Sequence, residues 1–129
     1  MRRIISLILG LGLGANGGWM LGAPAHWYQA IPGVADTGPA NLHFIRDIGA
    51  AYLVSAACLA WLAVRPSRAW PAALASGMFL LLHALVHIWD TASGRETPHG
   101  LLRDVPAVVL PAILTLWLAW PPHHLKRES

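Results

Sequence analysis

Four stretches of this chain, residues 4–23, 43–64, 70–89 and 101–120, are each close to 20 residues long and nearly free of charge. An α-helix of that length crosses the ~30 Å hydrocarbon core of a bilayer. Together the four runs use most of the 129 residues, so no room is left for a soluble domain. The whole chain, 1–129, therefore reads as a single all-α transmembrane domain, an integral membrane four-helix bundle. Composition agrees: 56% of residues are hydrophobic and 12% are charged, against about a quarter charged in soluble domains. The single cysteine, Cys58, lies within the second run, which excludes an intrachain disulfide.

The formal charge of +3 follows the membrane and carries no nucleic-acid signal. In a four-span arrangement Arg2, Arg3, Arg65, Arg68, Lys126 and Arg127 fall at one side, and Arg46, Arg95 and Arg103 at the other. The positive-inside rule then places both termini in the cytoplasm of a bacterial inner membrane. Asp36, Asp47, Asp90, Glu96 and Asp104 gather at the outer side, with only Glu128 inside. Trp61, Trp70, Trp117 and Trp120 mark the inner interface, and Trp19, Trp27 and Trp89 the outer one. A cleavable secretory signal is the competing reading of the N-terminus, since Arg2 and Arg3 precede an apolar run that ends in "APA"; the run is long for a signal.

Gly10, Gly14, Gly18 and Gly22 repeat at four-residue spacing in the first run. They predict a small-residue face for close helix packing, within the chain or in a homodimer. "GLGANG" also fits G-x-G-x-x-G, but a dinucleotide site needs a strand before it and a βαβ unit around it. The loop "APAHWYQAIPGVADTGPAN" predicts a cap on the membrane surface, and "RPSRAW" a tight turn between the second and third helices. Asn41 is placed to cap the second helix, and Pro98 to open the fourth. Pro111, in mid-span, removes the donor for the Ala107 carbonyl and predicts a kink. "FIRDIG" and "LLRDVP" form a weak internal repeat that suggests two helical hairpins related by an axis along the membrane normal.

The candidate site lies at the outer end. His83, His87 and Asp90 in "HALVHIWD" share one helical stripe, since steps of four and three residues nearly return to the same side. Counting from Trp89 at 1.5 Å per residue, His83 lies ~9 Å deep and His87 ~3 Å deep. His43 and Asp47 are likewise four apart. Ionisable groups inside spans face the bundle interior or a wet cavity, so these five residues are expected to converge, with Arg46, Arg103 and Asp104 beside them and His26 and His99 above.

Three readings of that cluster stand open. In a structural one, Asp47 pairs with Arg103 and Asp104 with Arg46, because neighbouring Arg and Asp do not face each other on a helix. In a metal reading, His83 and His87 bind Zn, Cu or Fe with Asp47, Asp90 or His43 completing the shell, or two histidines on different helices hold a haem. In the third, the cluster moves protons beside a small lipid-soluble ligand such as a quinone. No Ser-His-Asp or Cys-His spacing, P-loop or metalloprotease motif is present, and His123 and His124 belong to a basic tail.

"IPGVADTGPANLHFIRDIGAAYL" (residues 31–53), together with "HALVHIWD", resembles a group of small four-helix bacterial membrane proteins of broadly DoxX-like type. Some DoxX-like members are subunits of quinone-linked oxidoreductases. The resemblance, which includes the acid-Ile-Gly pattern at Asp47, Ile48 and Gly49, implies a membrane bundle and a place as an accessory subunit of a respiratory-type complex. It transfers no catalytic residue.

Overall fold

The computed structural model describes residues 1–120, and its regular elements are all helical, with no strand among the described residues. Helix α1 spans Arg2–Gly22, α2 Pro24–Ala30, α3 Leu42–Val64, α4 Pro66–Ala92, α5 Pro98–Asp104 and α6 Leu110–Ala119. A short 3-10 turn at Val34–Thr37 follows α2, and a π turn at Val105–Val109 joins α5 to α6 into one rod. Four helical segments, Arg2–Gly22, Leu42–Val64, Pro66–Ala92 and Pro98–Ala119, are long and apolar enough to cross a membrane. These are the segments expected from sequence, and they mark a multi-pass membrane protein. Their outward faces carry large apolar side chains such as Ile8, Leu11, Val54, Leu82 and Ile113, the surface that lipid covers.

Helix boundaries follow local chemistry. The Asn41 side chain accepts a hydrogen bond from the Phe44 amide at 3.1 Å and caps α3, as its position predicted. Thr97 caps α5 through the Gly100 amide at 3.0 Å, with Pro98 at the first helical position. The "RPSRAW" segment is not a turn of its own. Arg65 alone separates α3 from α4, and Pro66 opens α4 because its missing N–H costs nothing in a first turn.

The spans pack in the order α1, α3, α4, α6, and the end of α6 returns to the start of α1. The α1–α3 contact is the closest. The buried face of α1 is Ser6, Gly10, Leu13, Gly17 and Met20, a spacing of alternating four and three residues. A Cβ on Gly17 would lie 2.6 Å from the Gly49 carbonyl oxygen, and one on Gly49 would lie 2.9 Å from the Gly17 carbonyl oxygen. Gly10 meets Ala56 and Leu59 in the same way. Gly18 and Gly22, expected on this face, have nothing within 4 Å. Each four-residue step over-rotates a 3.6-residue helix by about 40°, so the glycine series walks off the contact after Gly14, and Gly17 takes its place. Small residues also line the α4–α6 contact: Ala69, Ala73, Ser76, Gly77 and Ala84 on α4, and Ala112, Thr115 and Ala119 on α6 are buried, and Gly77 sits against Leu116.

The proline pair in the last span produces a π turn. The Leu110 amide bonds back to the Val105 carbonyl, five residues earlier. Gly100, Asp104, Val108, Pro111, Thr115 and Ala119 all lie on the covered or half-covered side. Five turns of regular helix cover about 18 residues, and this face takes one more. The π turn absorbs the extra residue and keeps Asp104 aligned with the packed face of α6.

Gly17→Ala is expected to destabilise the bundle by about 1–3 kcal/mol, since neither backbone can yield, whereas Gly18→Ala is neutral or slightly stabilising. Thermal unfolding of the two variants in detergent checks the contrast.

Candidate functional site

The polar residues of the sequence divide into separate groups. His43 and Asp47 approach each other at 3.5 Å on α3, with side chains 87% and 59% exposed. They stand on the outward side of α3 and do not join the α4 histidines, because the inward positions of that helix turn are held by Ile45 and Gly49. Arg46 is exposed as well and donates to the Leu21 carbonyl at 3.3 Å, tying α3 to the end of α1. His26, on α2, accepts from the Trp19 indole N–H at 3.3 Å. Asp90 pairs with Arg95 at 3.2 Å, and its carbonyl accepts from the amides of Arg95 and Glu96, so it closes the C-terminal end of α4. His99 is exposed. The tail histidines, Lys126, Arg127 and Glu128 lie outside the described residues.

What does converge is a row running from the α3–α4 contact toward α5. Tyr52, buried on α3, meets Phe79 edge-on at 6.0 Å and His83 edge-on at 5.9 Å between ring centres. Phe79 stacks near-parallel on His83 at 6.3 Å, and His83 meets His87 at 4.9 Å. His87 Nδ1 then lies 2.8 Å from Asp104 Oδ2, a half-buried contact between α4 and α5. Asp104 Oδ1 also accepts from Arg103 Nε at 3.0 Å. With Asp104 accepting from both groups, His87 Nδ1 is the donor of this contact and its Nε2 points away from the carboxylate's hydrogen bond.

The cross-pairs expected of Asp47 with Arg103 and of Asp104 with Arg46 are therefore not formed. Arg103 bonds to its own neighbour, since its long side chain can fold back where a direct facing of adjacent positions is not required. Its guanidinium also lies 3.6 Å from Glu96 and occupies the space where a Cβ on Gly33 would stand. Gly33 has φ 83°, a left-handed conformation that glycine adopts freely. The loop after α2 is thus seated on Arg103 in the last turn of α5. Nearby, Tyr28 donates to the Gly38 carbonyl at 2.6 Å, and the Trp27 indole donates to Asn16 at 2.9 Å. The capping loop expected from sequence is an ordered lid held by these bonds.

Among the described residues no group of three or more His, Cys, Asp and Glu side chains is arranged to hold a metal ion. His83 and His87 meet through ring contact, Asp104 takes the Nδ1 side of His87, and the further donors expected from Asp47, Asp90 and His43 are engaged elsewhere. Both nitrogens of His83 are free of hydrogen bonds among the described residues, as is the Tyr52 hydroxyl. Sequence reading missed Tyr52, Phe79 and Asn16. The pairing of Tyr52 with His83 carries no motif, although a Tyr and a Phe on inward helical positions are a detectable signal. No protein-family model, curated protein or solved structure matches the chain.

A double-mutant cycle on His87→Ala and Asp104→Ala is expected to give a coupling of about 1–3 kcal/mol in detergent unfolding, as for a partly buried hydrogen bond to a charged group. The same cycle on His43 and Asp47 should give a coupling near zero.

Proposed function

We propose that this protein binds a lipid-soluble carbonyl ligand of the quinone class at the Tyr52–His83–His87–Asp104 row. The observation that carries the reading is His83: an imidazole set among rings inside a span, with neither nitrogen bonded, next to a histidine–carboxylate pair. Ionisable side chains are rare within spans and mark ligand or proton pathways there. A neutral imidazole offers one donor and one acceptor, which suits a quinone carbonyl or its reduced hydroxyl. Flat rings on Tyr52 and Phe79 suit an aromatic head group. His87 and Asp104 would hold and orient a proton at the inner face of the row. The likeness of residues 31–53 to the DoxX-like class fits this reading, with the protein as a subunit of a quinone-linked membrane complex.

The excess of arginine at the end that carries Arg2, Arg3, Arg65 and Arg68 supports an orientation with both termini in the cytoplasm of a bacterial inner membrane. The row would then open toward the periplasmic half. A periplasm-active phosphatase joined after Thr37 should be active, and one joined after Ser129 inactive; the reverse pattern sinks the orientation.

Solvent extracts of detergent-purified protein are expected to contain near-stoichiometric quinone. His83→Leu should lose it, and His43→Ala should keep it. A second reading rests on the 2.8 Å His87–Asp104 contact, which makes the row a structural tie between α4 and α5. Extracts without quinone, together with large destabilisation in His87→Ala, would decide for that tie.

A further inference from the structure

At the opposite end of the bundle the chain holds a different arrangement. A cavity of about 270 Å³ opens among α1, α3, α4 and α6, lined by Arg2, Arg3, Leu62, Pro66, Trp70 and Leu118 among others. Its walls are apolar and its mouth carries the two arginines. Arg65 and Arg68 stand at the same end, in the short link to α4 and its first turn. All the acidic residues among the described residues lie at the other end, in or after the cap that holds Asp36, or beside Asp47, Asp90, Glu96 and Asp104.

The arginines do different work. Arg2 donates to the carbonyls of Trp117, Leu118 and Trp120, each at 2.8 Å, and its guanidinium lies 5.2 Å above the Trp117 ring. It satisfies carbonyls that the end of α6 leaves open. The side chains of Arg3, Arg65 and Arg68 have no hydrogen bond or ion pair among the described residues. Arg3 lines the apolar cavity, and Arg65 and Arg68 add two further cations at the same end with no counter-charge among the described residues. Trp70 lines the same cavity, with an apolar body and a polar N–H suited to a membrane interface.

We infer that this end is a binding site for an anionic phospholipid, its phosphodiester held by Arg3 at the cavity mouth, with Arg65 and Arg68 adding positive charge at the same end, and the upper part of one acyl chain seated in the cavity beside Leu62 and Trp70. A guanidinium binds phosphate through paired N–H donors, and basic pockets between spans recognise lipid head groups by the same chemistry. A zwitterionic lipid offers the same phosphate but adds a cation that the three arginines repel. The site is independent of the histidine row.

Native mass spectrometry of the delipidated full chain tests the inference, with phosphatidylglycerol and phosphatidylcholine of identical acyl chains as probes. Wild-type protein should retain phosphatidylglycerol in preference. Arg3→Gln should weaken that retention about fivefold, while Arg46→Gln, which removes the same charge from the other end, should leave it unchanged. Glycerol 3-phosphate and inorganic phosphate, which lack acyl chains, should not compete. Equal retention of the two lipids by wild-type protein would overturn the site without reference to any variant. So would equal loss in Arg3→Gln and Arg46→Gln, and displacement by inorganic phosphate would show a free-anion site instead.

Discussion

The bundle depends on the approach of two backbones. Where α1 crosses α3, Gly17 and Gly49 bring peptide groups so near that the carbonyl of each lies within 3 Å of the place where a Cβ on the other would stand. In lipid there is no water to expel between helices, so association comes from van der Waals packing and from contacts that only small residues permit. The buried core reflects this: Ala69, Ala73, Ala84, Ala112 and Ala119 fill positions that large side chains hold in soluble proteins. Helix α3 is fixed on α1 by this contact, and its other side then presents Tyr52 to α4. Everything in the aromatic and histidine row follows from that placement.

Polar groups inside the spans are arranged by the same logic. An unpaired donor or acceptor is costly in hydrocarbon, and several polar side chains have local partners, although the buried hydroxyls of Ser76 and Thr115 have none among the described residues. Asn16 is taken by Trp27, His26 by Trp19, and Asp104 by His87 and Arg103. Arg2 gathers the open carbonyls at the end of α6 and closes the ring of helices that would otherwise end as an open row. His83 is an ionisable side chain within a span that is held by ring contacts and makes no hydrogen bond among the described residues. That difference is what separates a candidate ligand contact from its neighbours that serve as ties.

Reading the candidate site from sequence worked for positions on one helix and failed for positions on two. His83 and His87 share a stripe because four residues make slightly more than one turn, and that rule needs no partner. Asp47 was expected to face the same pocket on the ground that charge avoids lipid. It lies in the second turn of α3, near the N-terminal end of that helix, and faces outward beside His43. Asp104 could not be assigned to His87 from spacing, since the π turn that aligns it depends on how Pro106 and Pro111 are accommodated against α4. The glycine series shows the same limit: Gly18 and Gly22 match the motif by number, but a 3.6-residue helix carries them off the contact.

The sequence alone determined the four spans, the cap at Asn41, the helix start at Pro98, and the gathering of Asp36, Asp47, Asp90, Glu96 and Asp104 at one end. These follow from hydrocarbon thickness, backbone chemistry and solvation, all of which act on residues near in sequence. Tertiary structure alone decided which glycines meet, which carboxylate pairs with His87 and which arginine side chains have no partner among the described residues. Those outcomes turn on rotations of about one residue between packed helices, and a rotation of that size becomes visible only when both surfaces are in place.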